Sequence, residues 1–199
     1  MEKLESVRSH QSNANKEGKK FEIYVKTRLN NDNHLVKNRI RILDNKDLNE
    51  DLALKNRTMV RLRNYVLPQN PLHLIAKDSD TGNPLALICC KVSLHGRIPE
   101  TLFYSWFYKT YLKKEKLNVV LVTPDKGRQS KPDEWRSEWG SQLLPTQCRI
   151  LAEHFLDGVY IDNNYLKERF GVIGNTQLDN DLHSFSTLVD HLISWKRGD

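Results

Sequence analysis

The fold class this sequence predicts is a mixed α/β sheet with helices on both faces, and three observations carry it. Two apolar runs, "LHLIA" and "LALICC", flank the turn-rich "KDSDTGNP" and read as a hairpin of two strands. Both runs are apolar at consecutive positions, so both strands need cover on each face. Helical periodicity lies before and after the hairpin, with a further buried strand in "LNVVLVTPD"; such alternation is the mark of a layered α/β domain.

Residues 1–16 are polar and expected to be frayed or loosely helical. From Glu17, "EGKKFEIYVKTRLN" sets Phe21, Val25 and Leu29 at helical spacing with Tyr24 beside them, so an amphipathic helix is expected up to "NNDN". "HLVKNRIRIL" reads as a short irregular piece or a strand. Asp47 is the expected N-cap of a helix through "LNEDLALKNRTMVRLRNYVL", turning to strand near its end, and Pro68 and Pro71 then break the chain. After the hairpin, Pro99 and Glu100 suit the first turn of a helix, "ETLFYSWFYKTYLKKEK". Its Phe103, Phe107 and Tyr111 recur at i+4 with Trp106 alongside, which predicts an aromatic inner face packed in the core. Beyond the strand "LNVVLVTPD", "KGRQSKPDEWRSEWGS" is a polar loop with four cations and two Trp. "PTQCRILAEHFLDGVYI" begins as a helix, "NYLKERFGVIGN" suits either state, and "SFSTLVDHLISWKRG" is a helix with Leu188, Leu192 and Trp195 on one side. No repeat or linker divides the chain, so a single domain over 1–199 is expected.

Composition excludes several classes. No apolar run reaches the ~18 residues of a membrane span, and the N-terminus lacks a signal-peptide core; the cytoplasm is the expected compartment. Three cysteines, two of them adjacent, have no CxxC spacing, against both a disulfide framework and a zinc site. No phosphate-binding glycine loop appears, so no nucleotide cofactor is implied. The net charge of +6 is a mild excess spread along the chain, and leaves nucleic-acid binding open.

The most informative stretch is "LALICCKVSLHGR", residues 85–97. Six apolar residues run into Lys91, followed by Ser93, His95, Gly96 and Arg97. A lysine at a strand end commonly snorkels to water. Here its stem is deep, small and polar residues follow it, and a second cation lies six residues on; this cluster suits a phosphate.

These residues resemble the PD-(D/E)xK nuclease superfamily. A helix containing "GKKFE", a strand, a turn and "ALICCKVSLHGR" follow the order of its core, and "CKxSxxxR" is similar to type II restriction endonucleases, whose third strand carries Lys, then Ser, then Arg. The resemblance covers about residues 17–123 as catalytic core and leaves the remainder for DNA recognition and dimerisation. It implies a restriction-endonuclease-like mixed central sheet flanked by helices. It also implies hydrolysis of double-stranded DNA with Mg²⁺ held by acidic groups, and assigns Lys91 to the water or the phosphate.

The match departs from the family at two places. The acid two residues before the lysine is replaced by Cys89, a poor Mg²⁺ ligand expected to pack; Glu22 and Glu100 are the candidate substitutes. The motif Asp is also absent. Asp78 and Asp80 lie at the turn, and with the turn centred near Gly82 Lys91 falls opposite residues 72 to 74, which puts Asp78 roughly 16 Å away at ~3.3 Å per residue. His73 is then the neighbour of Lys91, either as a ligand or water contact that would admit Mn²⁺ besides Mg²⁺, or as a packed histidine. The expected metal set is Glu22, His73 and the backbone carbonyl of Cys90, with Asp78 and Asp80 in reserve. Asp125 is read as a turn residue. Ser93, Arg97, Lys126, Arg128 and Lys131 are the expected DNA contacts. The expected partners are double-stranded DNA, a second copy of the chain, since a C2 dimer matches a palindrome, and a cognate DNA methyltransferase. The rival reading is a non-catalytic DNA-binding protein that keeps a degenerate nuclease fold.

Overall fold

The computed structural model describes residues 2–62, 65–66, 73–94, 98–114, 116–129, 135–171, 176, 178–179 and 181–198. The helices are α1 (Glu2–Asn30), α2 (Asn33–Lys37), α3 (Leu52–Thr58), α4 (Ile98–Trp106), α5 (Gln147–Phe155), α6 (Asn163–Phe170) and α7 (Thr187–Arg197). The strands are β1 (Ile40–Asp44), β2 (Arg61–Leu62), β3 (Tyr65–Val66), β4 (Leu74–Asp78), β5 (Pro84–Cys90), β6 (Asn118–Thr123), β7 (Arg128–Gln129), β8 (Trp135–Arg136), β9 (Gly158–Ile161) and β10 (Leu182–Ser184). Six strands form one sheet in the order β1-β4-β5-β6-β9-β10; β2-β3 and β7-β8 are separate small ladders. The first three strands of the sheet run antiparallel and the last three are parallel to β5, which is the mixed sheet the sequence predicts.

Alternation along β5 divides the core into two layers. Leu87 and Cys89 face α3, α4 and α5, where Leu54, Ile98, Leu102 and Ala152 meet them. Ala86, Ile88 and Cys90 face α1 and α7, against Phe21, Val25, Leu188 and Leu192. β1 ends the sheet, and a bare edge would invite pairing with another chain. The Asn30 amide covers it, donating to the Ile42 carbonyl and accepting from the Ile42 N–H, both at 2.9 Å.

The first helix begins at Glu2, so of the two readings of residues 1–16 the helical one holds, continuous with the amphipathic stretch from Glu17. Several elements differ from expectation. Asp47 is not an N-cap: it is the first residue of a short 3-10 helix, Asp47–Asn49, where it accepts the Asp44 N–H and meets Lys26, and Asp51 caps α3 through the Leu54 N–H. The hairpin turn centres between Asp80 and Thr81, not near Gly82, because the Asp78 carboxylate draws in the Asp80 N–H and the Thr81 hydroxyl while the Asp78 N–H meets the Asn83 carbonyl. With a bulge at Ala76/Lys77, Leu74 pairs with Ile88.

The aromatic stripe faces outward. Phe103, Trp106 and Tyr111 are 52%, 44% and 59% exposed, and only Phe107 of the four is buried. The inner face is Ile98, Thr101, Leu102, Ser105 and Tyr108. Small hydroxyl residues let the helix approach closely: Thr101 meets the Cys89 thiol, and Ser105 donates to the Phe155 carbonyl. A π-helical turn over Phe107–Tyr111 then brings Tyr108 inward, where its hydroxyl donates to the Thr58 carbonyl at 2.6 Å. β9 and β10 are short strands with no pattern of their own, added where "GVYI" lies beside β6 and "LHS" beside β9.

Candidate active site

The C-terminal end of β5 is a fork. On one side the ladder to β6 closes with Cys90 opposite Val122 and the Lys91 N–H on the Val122 carbonyl at 3.0 Å. Pro124 follows and has no N–H to continue it. On the other side the ladder to β4 stops at Leu74–Ile88, and the Cys90 N–H donates instead to His73 Nδ1 at 2.9 Å. N–H and C=O of one strand residue point the same way, so the Cys90 carbonyl opens on the β4 side.

Lys91 stands in this fork. It is 8% exposed, and its Nζ lies 3.5 Å from Glu100 Oε2 on the first turn of α4. Glu22 approaches from α1, on the other face of the sheet; it is 8% exposed and paired with Lys19. Burial pushes the Cys90 thiol well up, with Cys89 and Glu22 adding to the shift and Lys91 opposing it. Cys89 packs in the core as expected. His73 does not lie directly opposite Lys91: one step beyond Leu74–Ile88 it faces Cys89, and it reaches the strand end through its ring. Because Nδ1 accepts, the ring proton is on Nε2, so His73 as it stands offers no lone pair to a metal and would bind one only after its ring turned away from the Cys90 N–H.

The reserve acids are remote. Asp78 bonds to Asn83, eight residues before Lys91, on the order of 26 Å along a strand. Lys196 binds both turn carboxylates and Arg39 binds Asp80. Burial raises the Asp78 carboxyl, but Lys196, the Thr81 hydroxyl and the Asp80 N–H hold it down to about 2.

Of the expected DNA contacts, Ser93 is half-buried and its hydroxyl donates to Glu138. Lys126 is exposed just past β6. The Arg128 backbone pairs with Arg136 in the β7-β8 ladder, and its side chain, Arg97 and Lys131 lie outside the described residues, as does the Pro-Asp of "RQSKPDEW".

The polar loop hides two acids that sequence reasoning missed or set aside. Asp125, at positive φ (45°) and fully buried, accepts from the Ser137 hydroxyl, the Glu138 N–H (2.9 Å) and the Thr176 hydroxyl (2.6 Å). Glu138, 3% exposed, accepts from Ser93 Oγ (3.2 Å) and the Leu94 N–H (2.9 Å). Trp139 beside it is fully buried, and Gly140 (φ +73°) turns the chain where any Cβ would stand 2.4 Å from the Leu144 carbonyl. The only signal in the sequence was Trp-Gly in a polar run, a pair that anchors a loop.

A metal fits this end of the sheet by its oxygen donors: carboxylates and a peptide carbonyl are hard oxygens suited to Mg²⁺, while the imidazole has both ring nitrogens engaged or protonated. Among the described residues no three His, Cys, Asp or Glu side chains are gathered into a ready-made metal group, so a phosphate oxygen would have to complete such a site. Among the same residues no helix is long and apolar enough to cross a membrane.

No curated protein matches the chain. The family model of the BsaWI restriction endonuclease type 2 matches residues 46–190, a span that includes β4, β5, Lys91, Glu100, Asp125 and Glu138. The chain therefore belongs to the BsaWI family of type II restriction endonucleases, hydrolases that cleave DNA at specific sites.

Proposed function

We propose that this endonuclease cuts both strands of a palindromic duplex as a homodimer, with Lys91 at the scissile phosphate and Mg²⁺ as cofactor, Mn²⁺ being tolerated. The observation that carries the reading is the buried Lys91 ammonium in the β5 fork, 3.5 Å from Glu100. A buried cation at the exit of a central strand is arranged for an anion. When the phosphate arrives, Lys91 exchanges a weak contact with an exposed carboxylate for a strong one, and balances the charge that develops in the transition state.

Glu22, Glu100 and the Cys90 carbonyl would hold the divalent ion, joined by the His73 imidazole if its ring turns to free a nitrogen lone pair, and the ion would supply polarisation of the phosphate and an activated water. Glu100, once freed from Lys91, would be one of the ion's oxygen ligands. In the orientation set by the Cys90 N–H, the His73 Nε2–H is a donor that could meet a water or a phosphate oxygen. Arg97, Lys126, Arg128 and Lys131 are proposed to contact DNA, all lying downstream of Lys91 in chain order, whereas Ser93, expected at the DNA from the sequence, gives its hydroxyl to Glu138. Residues 17–123 would be the catalytic core within one domain, the rest serving recognition and dimerisation. The exposed Phe103, Trp106 and Tyr111, on the helix that carries Glu100 and on the turn after it, are the apolar face we assign to contact with the second copy. Such an enzyme works where the DNA is, in the cytoplasm, beside a methyltransferase that protects the host's own sites.

Plasmid DNA incubated with the protein and Mg²⁺, Mn²⁺ or a chelator tests this, with the ends sequenced. Cuts at one short palindrome, dependent on the ion, support the reading; equal cutting in chelator defeats the metal assignment.

A further inference from the structure

We propose that Glu138 is a positioning residue for cleavage, clamping the segment that leads out of Lys91 to the loop that follows β6. The inference rests on the reading that Lys91 acts at the scissile phosphate. Glu138 spans two pieces of chain. One of its carboxylate oxygens takes the Ser93 hydroxyl at 3.2 Å and the other the Leu94 N–H at 2.9 Å, two and three residues after Lys91. Beyond β5 this segment has left both neighbouring ladders, so these bonds replace the strand pairing that would hold it.

Glu138 is itself anchored. Its N–H donates to Asp125 at 2.9 Å, and Asp125 also gathers Ser137 and Thr176, which ties the loop to the end of β6. Thr146 donates to the Glu138 carbonyl at 2.9 Å, and Trp139 is sunk in the core beside it. A carboxylate only 3% exposed costs solvation and is held in place only by good partners. Apolar residues would fill this position more cheaply if it served packing alone. The acid instead joins the loop carrying Lys126 and the β7-β8 ladder to the residues that follow Lys91, so DNA gripped by that loop is registered against the reacting phosphate. A misplacement of about 1 Å at such a site costs on the order of 100-fold in rate.

The test is single-turnover cleavage of a cognate duplex, with DNA affinity and melting temperature measured alongside, for Glu138→Gln, Ser93→Ala, the double variant and Lys91→Met. Glu138→Gln should lose about 30- to 100-fold in the cleavage step with affinity within about 3-fold. Ser93→Ala should lose several-fold with an unchanged melting temperature, and the double variant should be no slower than Glu138→Gln, because both changes break one link. A Glu138→Gln rate within about 3-fold of the parent, or losses that multiply in the double variant, overturns the proposal. If Glu138→Gln fails to fold, Ser93→Ala decides: lost rate at constant affinity supports the clamp, whereas lost affinity or no change overturns it. An active Lys91→Met would defeat the underlying reading of Lys91 instead, which keeps the two failures apart.

Discussion

Lys91→Met removes the ammonium and keeps most of the stem, and the structure sets the size of both consequences. An ammonium about 4 Å from a phosphate oxygen interacts by about 4 kcal/mol at an effective dielectric of about 20. If ~3–4 kcal/mol of this appears only as charge develops, the cleavage step should slow between about 100- and 1000-fold. Folding should barely respond. The Lys91–Glu100 pair is 3.5 Å long, and the Glu100 side chain is 58% exposed, so its loss is worth under about 1 kcal/mol. Methionine fills the same channel and no longer has to bury a charge in a residue only 8% exposed, which offsets that loss; the melting temperature should stay within a few degrees, since about 1 kcal/mol moves it by roughly 2–4 °C at this size. DNA affinity should fall by only the one phosphate contact. The assay is single-turnover nicking and linearisation of plasmid, with thermal melting on the same preparation. A variant that cuts within about 10-fold of the parent would refute the reasoning, because no placement of the ammonium against a reacting phosphate is that dispensable.

Removing Arg97, Lys126, Arg128 or Lys131 should flatten the salt dependence of DNA binding by a slope of about one per cation; four unchanged slopes in a filter-binding titration would place the duplex elsewhere. If the His73 ring turns to bind the ion, His73→Ala should weaken Mn²⁺-supported cleavage at least as much as Mg²⁺-supported cleavage, since the imidazole is the softer donor, and a rate that falls with Mg²⁺ alone would remove His73 from the metal set. Asp78, its carboxyl held at about 2 against an ordinary 3.8, stabilises the fold at neutral pH by about 2 kcal/mol. The folded value is the depressed one, so this contribution is complete above pH ~4 and disappears as pH falls through about 2. Urea midpoints of Asp78→Asn should therefore lie below the parent's at pH 7 and converge with them near pH 2, with DNA cleavage per folded molecule unchanged. Phe103→Asp should shift the sedimentation of the protein toward monomer if the α4 face joins two copies.

The sequence by itself determined the layers and the lysine. Apolar runs at consecutive positions in "LHLIA" and "LALICC" mean cover on both faces, and the helical spacing of Phe21, Val25 and Leu29 supplies part of that cover; all three are buried against the sheet. Lys91 stood out because a lone ammonium after six apolar residues needs an explanation that local structure does not provide. Tertiary structure alone decided the rest. The turn centre depended on where the Asp78 carboxylate found its donors, which no periodicity encodes, and it moved His73 from Lys91 to Cys89 across the hairpin. The aromatic stripe of α4 had good helical spacing but the wrong face: close approach to β5 and to the end of α5 required Thr101 and Ser105 inside, and period alone does not say which side of a helix meets the sheet. Glu138 lies 47 positions after Lys91 in a run of polar residues, and its burial arises only because Asp125, Gly140 and Trp139 fold that loop back onto the segment beyond β5. A charge is read from a sequence one residue at a time, but whether it faces water or another segment is a property of chain segments meeting, and that is settled by the fold.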